Sequence, residues 1–261
     1  MLDIYVPSYK RKNAPVIQKL ISAKIPFTIV LDHAQDYIDY GDLESETTKL
    51  WLLDKAQGIG YVRQCIKERY RGTPVIMIDD DTIFSLRQFE DPTKLITCNT
   101  DETVRKWFAV VDRFCRQHKF DIGSVADSVF CWSKTQKTLR TGSYCSVTIF
   151  NSPRCHEIDY DPNLYKRMED CDLVLQAITR RFTFLRCNEV LRHCPMNKAA
   201  DDKGGCSEVY QDDEAMRATT SYLINKWGAD VVILSKRKNI GNFPDFKVDF
   251  RKVRKRYGYS Y

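Results

Sequence analysis

Three consecutive carboxylates, Asp79, Asp80 and Asp81, stand directly after the apolar run Pro74-Val75-Ile76-Met77-Ile78. The run is too short for a helix and apolar on both faces, which is the pattern of a central strand covered on both sides. In open α/β sheets ligands collect beyond the carboxyl ends of such strands, so the three acids point into a candidate site. Adjacent carboxylates repel one another unless a cation or hydrogen-bond donors neutralise them. Mg2+ or Mn2+ carrying a diphosphate would do so, because hard cations prefer a few carboxylates together with phosphate oxygens and water. The plainer alternative is an acidic turn facing solvent, and the apolar character of the preceding run argues against it. A second acidic cluster, Glu169-Asp170-Cys171-Asp172, precedes a helical pattern beginning at Leu173. Such acids either supply a general base or cap a helix N-terminus. His193 follows the strand pattern of residues 182 to 186 and is either a metal ligand or a structural histidine. Lys198 lies in a polar, glycine-containing stretch, residues 197 to 205, with the composition of a flap over phosphates.

These residues need elements to position them. Residues 2 to 6 read as a strand that stops at Pro7-Ser8, residues 14 to 23 carry apolar positions at helical spacing, and residues 27 to 31 form a second strand stopping at Asp32. Strand, helix, strand at this spacing opens a parallel α/β sheet. Residues 33 to 50 read as a loop with a short helix. The turn Gly58-Ile59-Gly60 leads into a helix over 61 to 68. Residues 101 to 119 predict an amphipathic helix with Val104, Trp107, Phe108, Val111, Phe114 and Cys115 on its core face. Residues 122 to 130 and 146 to 150 read as further strands, separated by a basic loop over 133 to 143.

Among the 261 residues 43% are hydrophobic and 29% charged, which supports a sizeable core. No apolar run approaches the ~20 residues of a membrane span, and a strand pattern starting at Leu2 leaves no space for an export signal. The expectation is therefore a cytoplasmic chain without membrane insertion. The ten cysteines include no pair at zinc-site spacing and read as reduced packing residues. Residues 234 to 261 hold nine Lys or Arg against two acids, 9 - 2 = +7, so the rest of the chain sums to 6 - 7 = -1. This divides the chain into a body, residues 1–233, and a basic, tyrosine-rich extension, residues 234–261. Lys252, Arg254, Lys255 and Arg256, with Tyr257, Tyr259 and Tyr261 beside them, suit a nucleic-acid contact with aromatic stacking; the alternative is a solvated tail.

Five features in order, namely Val6-Pro7-Ser8-Tyr9-Lys10-Arg11, Asp32, the glycine-arginine segment 58 to 64, Asp79-Asp80-Asp81 and Glu169-Asp170, resemble those of GT-A glycosyltransferases over residues 2 to about 205. Within that superfamily the chain most resembles the TET/JBP-associated group, which includes the base J glucosyltransferase and phage enzymes that glycosylate hydroxymethylpyrimidines in DNA. The narrower match rests on compact size, on the Asp-Asp-Asp and Glu-Asp-Cys-Asp forms and on the basic tail. The resemblance implies an α/β, Rossmann-like GT-A domain with a mostly parallel central sheet flanked by helices. It implies a nucleotide-sugar donor, UDP-glucose foremost, held by Pro7, Ser8, Tyr9, Arg11, Asp32, Gly58, Arg63, Asp79, Asp80 and Lys198, with Arg63 beside the nucleotide base. It implies Mn2+ or Mg2+ on Asp79, Asp81 and His193, and a catalytic set of Glu169, Asp170 and Asp172, in which either Asp170 or Asp172 is the general base. DNA would be the acceptor and a phage-infected cytoplasm the setting. A glycan, lipid or protein acceptor, a nucleotidyltransferase and a non-catalytic binding module are the competing readings.

Overall fold

The computed structural model describes residues 2–88, 90–91, 93–128, 138–139, 146–165, 168–194, 213–234 and 246–258. Its main sheet has the order β3-β2-β1-β4-β9-β7-β10-β5-β6, with the short β8 (Thr138–Leu139) also paired to β10. The strands are β1 (Asp3–Pro7), β2 (Phe27–Leu31), β3 (Thr48–Leu52), β4 (Val75–Ile78), β5 (Ile83–Arg87), β6 (Leu95–Thr97), β7 (Ile122–Asp127), β9 (Val147–Phe150) and β10 (Phe184–His193). The expected mostly parallel sheet is corrected to a mixed one. β3, β2, β1 and β4 run parallel, as do β7 and β10, whereas β9 lies antiparallel between β4 and β7, and β5 and β6 add antiparallel pairings. After β4 the chain turns through the acids into β5, which lies across the sheet beside β10 and not beside β4.

β4 is the central strand that its sequence predicts. Val75 and Met77 point into one core and Ile76 and Ile78 into the other, all at most 2% exposed. At about 1.5–3 kcal/mol per buried aliphatic side chain, these four residues hold the strand and therefore the start of the acidic turn. The first core lies under α1 (Pro15–Ser22) and α4 (Asp101–Gln117). Thr100 and Thr103 form a reciprocal capping box at the start of α4, and Trp107 Nε1 donates to Leu191 O at 3.0 Å, which fixes the helix to β10. The second core lies under α3 (Ile59–Lys67) and α5 (Glu169–Thr179).

Residues 33 to 50, read as a loop with a short helix, contain α2 (Ala34–Asp39) and also enter the edge strand β3, whose Lys49 and Leu52 are exposed. α6 (Asp213–Trp227) follows the flap-like stretch. At the C-terminal side β11 (Val232–Leu234) pairs with β12 (Phe246–Val248), so a hairpin crosses the expected boundary at 233/234, and α7 (Phe250–Arg256) buries Val253 in the second core. Among the described residues no helix is long and apolar enough to cross a membrane.

Candidate active site

The strand order reverses at β1, which has β2 on one side and β4 on the other. Ligands bind outside the carboxyl ends of strands at such a switch point. Ser8 and Arg11 follow β1, Asp32 follows β2, and Asp79 to Asp81 follow β4, so the sequence-predicted residues converge there.

Each acid of the turn has a cationic partner, and Arg11 serves two of them. Asp79 Oδ1 accepts from Arg63 Nη2 at 2.7 Å. Asp80, 6% exposed, accepts from Ser8 Oγ at 2.7 Å and pairs with Arg11 at 3.4 Å. Burial pushes the Asp80 carboxyl up to about 6, and the Ser8 and Arg11 contacts only partly offset this. Asp81 pairs with Arg11 at 3.6 Å and accepts from the Cys194 thiol at 3.1 Å, and its side chain is 37% exposed. Asp81 is the most exposed of the three, with Asp79 at 25% and Asp80 at 9% by side chain. Of the two sources of charge relief open at the sequence level, a cation or hydrogen-bond donors, the fold supplies donors in two arginines and a serine.

A second group of contacts is built around Asp32. Its carboxylate accepts from Gly58 N at 3.3 Å and contacts His33 Nδ1 at 2.8 Å, while the Tyr9 ring packs on the His33 ring with centroids 4.7 Å apart. Tyr40, which sequence reasoning missed, is buried: its hydroxyl accepts from Arg11 N at 2.7 Å and bonds Ser8 Oγ at 3.0 Å. Pro7 ends β1 in register with Val30.

Arg63, which the resemblance places beside the base, is held by two carboxylates. Its guanidinium is buried and bridges Asp79 and Glu169, each at 2.7 Å. Burial alone would favour the neutral form, but the two carboxylates hold it charged. Two glycines make this bridge reachable. Gly58 takes φ 98°, which suits glycine, and turns the chain into α3. Gly60 donates its N–H to Tyr165 O at 2.7 Å, and a Cβ there would sit 2.7 Å from Tyr165 Cα. α3 thereby lies directly against the segment that leads to α5.

The acids of α5 divide by environment. Glu169 is tied to Arg63 and buried, which pushes its carboxyl up to about 7 despite the guanidinium. Asp172 is fully buried, accepting from Gln176 Nε2 at 2.7 Å, Lys226 Nζ at 3.0 Å and Trp227 Nε1 at 2.7 Å. It therefore fixes α6 to α5 and has no oxygen to spare for a substrate. Asp170 is half-buried, and its carboxylate accepts from Cys171 N at 2.7 Å. Desolvation raises its pKa above the ordinary carboxylate value. Met168, just before the helix, takes the left-handed φ of 61°, at a cost of about 1–2 kcal/mol, the kind of strain that collects at functional sites.

His193 ends β10 opposite Ile83, and it is the next residue, Cys194, whose side chain meets Asp81. Cys194 is missed at the sequence level because the strand there is expected to end at 186; its extension to His193 is the signal that would have found it. Among the described residues no three His, Cys, Asp or Glu side chains form a ready metal cluster. A hard cation that takes most of its ligands from diphosphate and water needs few from the protein, and Asp81 fits that requirement. Lys198, the rest of the 197 to 205 flap, Tyr259 and Tyr261 lie outside the described residues. Lys252, Lys255 and Arg256 are exposed on α7, whereas Arg254 is a correction: it is 6% exposed and lies over the Phe184 ring, 6.0 Å from its centroid, which removes it from any surface contact.

No family model and no curated protein sequence matches the chain. Its fold is similar to that of GalNAc-T7, solved with UDP, GalNAc and Mn2+, at a TM-score of 0.51 and 9% identity over 74% of this chain and 43% of that one. S. aureus TarS 1-349 in complex with UDP-GlcNAc is similar at a TM-score of 0.49 and 16% identity, over 86% of this chain and 66% of that one. The mannosyltransferase PcManGT from Pyrobaculum calidifontis, solved with GDP-Man and Mn2+, gives 0.49 and 11% over 85% and 61%. The chain thus spans two thirds or less of the solved chains named here. The fold is the α/β fold of GT-A glycosyltransferases.

Proposed function

We propose that this protein is a metal-dependent glycosyltransferase that moves a sugar from a UDP-sugar, glucose foremost, to a hydroxymethylated pyrimidine in DNA. The observation that carries the reading is the division of labour among the acids at the switch point: Asp79 and Asp80 are held by protein donors, Asp81 is open, and Asp170 is the acid of α5 left for proton transfer. In this reading Asp32, Tyr9 and Gly58 bind the nucleoside, and Ser8 and Arg11 orient the turn that faces the sugar and diphosphate. Asp81 holds Mn2+ or Mg2+, which supplies Lewis-acid stabilisation of the departing diphosphate. Asp170 takes the proton of the acceptor hydroxyl, and its raised pKa brings it nearer the working pH of a general base. Arg63 carries Glu169 and Asp79 on one guanidinium and so links the base helix to the metal turn.

The acceptor reading draws support from charge. Lys252, Lys255 and Arg256 on α7 stand with Arg180 and Arg181 at the far end of α5; a Cβ at Gly258 would lie 4.0 Å from Arg181 Nη2. The 11 residues of α5 span about 16 Å, roughly half a turn of duplex DNA, so a duplex with its base extruded toward Asp170 could reach these cations with flanking phosphates. The basic extension, residues 234–261, then serves as the DNA clamp of a catalytic body, residues 1–233, in a phage-infected cytoplasm. Hydroxymethylated DNA incubated with a panel of nucleotide sugars and digested to nucleosides tests this. A hexosylated hydroxymethylpyrimidine by mass spectrometry supports it. UDP release with no modified nucleoside moves the acceptor to a glycan, lipid or protein, and pyrophosphate release from a triphosphate would indicate a nucleotidyltransferase.

A further inference from the structure

We propose that His33 reads the nucleobase of the donor: its Nε2 accepts the N3–H of uracil, which selects uridine over cytidine diphosphates. The inference rests on the reading of the Asp32 group as the nucleoside side of a UDP-sugar site, and deepens it by naming the atom that tells one base from another. Asp32 itself is poorly placed for that task. Its two oxygens already hold one donor each, Oδ2 taking Gly58 N–H at 3.3 Å and Oδ1 meeting His33 Nδ1 at 2.8 Å. Its side chain is 7% exposed, against 44% for the His33 ring. The ring is also held in place. The His33 carbonyl accepts from Tyr37 N at 3.2 Å, which fixes the backbone where β2 gives way to α2, and Tyr9 packs on the ring with centroids 4.7 Å apart. Nε2 has no hydrogen-bond partner among the described residues and is available to a ligand.

The partner on Nδ1 decides what Nε2 can do. A carboxylate oxygen only accepts, so the Asp32 contact places the ring proton on Nδ1, and in the neutral imidazole Nε2 is then a lone-pair acceptor. Uracil presents N3–H as a donor at its pairing edge, whereas cytosine presents a bare N3 there and sets lone pair against lone pair. Methylation of uracil N3 likewise removes the donor. Asp32 thus acts through His33 as a positioning residue, orienting the ring and choosing its tautomer.

Calorimetric titration of the full chain with UDP, CDP and 3-methyl-UDP at pH 8 in the presence of Mn2+ provides the test. It is run on wild type and on His33→Phe, which keeps a ring beside Tyr9 and removes both nitrogens. The expected wild-type result is a UDP affinity about tenfold or more above that of either analogue, the scale of one hydrogen bond made against one polar group left unpaired. In His33→Phe the three ligands should bind within about threefold of one another. Wild-type protein gives a second readout that needs no variant: bound UDP should protect His33 from acylation by diethyl pyrocarbonate, scored by peptide mass spectrometry. Equal wild-type affinities for the three ligands, a UDP preference that survives His33→Phe, or a His33 acylated as fast with UDP bound as without it, overturns His33 as the reader and leaves the nucleotide site standing. Binding of none of the three by wild type overturns the nucleotide-site reading and the inference together.

Discussion

Arg63→Met removes the one cation shared by Glu169 and Asp79 while keeping most of the side-chain volume. Both partners are largely buried, with side-chain exposures of 10% for Arg63 and 6% for Glu169. Breaking a buried pair by deleting one member costs about 3–5 kcal/mol, because the other charge is left without compensation. The cost depends on pH in a defined direction. Burial holds the Glu169 carboxyl at about 7, above its ordinary value of 4.5, so the folded state favours the protonated form. A raised folded pKa contributes stability that is present below 4.5 and is lost as pH rises through about 7. Without the guanidinium that lowers it, the carboxyl rises further, and the loss extends to higher pH. The deficit of Arg63→Met should therefore be smaller near pH 5 than near pH 8, and titration of a carboxyl at about 7 lets it grow by at most about 1.4 kcal/mol between the two. At about 2–4 °C per kcal/mol for a chain of this size, that is a fall in Tm larger at pH 8 than at pH 5 by up to roughly 3–6 °C. Calorimetric melts of wild type, Arg63→Met and Arg63→Met/Glu169→Gln at both pH values provide the assay. The double variant, with no buried carboxylate to ionise at residue 169, should recover a substantial part of the loss at pH 8. A deficit that is equal at the two pH values, or a double variant no better than the single, would refute the coupling.

Asp81→Ala should abolish metal-stimulated donor hydrolysis while Tm without metal moves by no more than about 2–4 °C, since its contact with Arg11 is long, at 3.6 Å, and its own side chain is 37% exposed; calorimetric titration with Mn2+ and UDP checks that binding disappears. Asp170→Asn should lower turnover at least about a hundredfold at unchanged UDP affinity, whereas Asp172→Asn should lower Tm by weakening the hydrogen bonds to Lys226 and Trp227 and leave turnover per folded molecule within a few-fold. Gly60→Ala should destabilise the protein by about 1–3 kcal/mol in a denaturant titration, because its Cβ would meet the Tyr165 backbone at 2.7 Å. Lys252→Ala/Lys255→Ala should weaken DNA binding and reduce the salt slope by about one for each phosphate no longer neutralised, with acceptor-free hydrolysis unchanged.

The legible parts of the fold are those where local pattern and burial agree. β4 shows an apolar run on both faces and α4 a stripe at helical spacing, and both occur as read. β3 was not legible because it is an edge strand with Lys49 and Leu52 exposed, so no alternation marks it. β5 was hidden behind the acids that precede it, and the antiparallel insertion of β9 depends on pairings between residues as distant as Val75 and Phe150. In the site, the strand-end position announced Asp79 to Asp81, while Ser8, Arg11 and Asp32 came from the resemblance. What sequence could not supply was who holds whom. Arg63 meets Glu169 across 106 residues, Asp172 meets Trp227 across 55, and Cys194 meets Asp81 across 113. Those pairings bury Asp172 among donors and set Arg63 between Asp79 and Glu169, and they exist only once the sheet brings its carboxyl ends together.

Release of UDP from UDP-glucose in the absence of any acceptor tests the central claim most directly, because it requires donor binding, metal binding and bond cleavage and nothing else. The account expects slow release that depends on Mn2+, stops with a chelator, is absent in Asp81→Ala and persists in the α7 lysine variant. No UDP release from any nucleotide sugar under these conditions, or release that is unaffected by chelation and by Asp81→Ala, would contradict it.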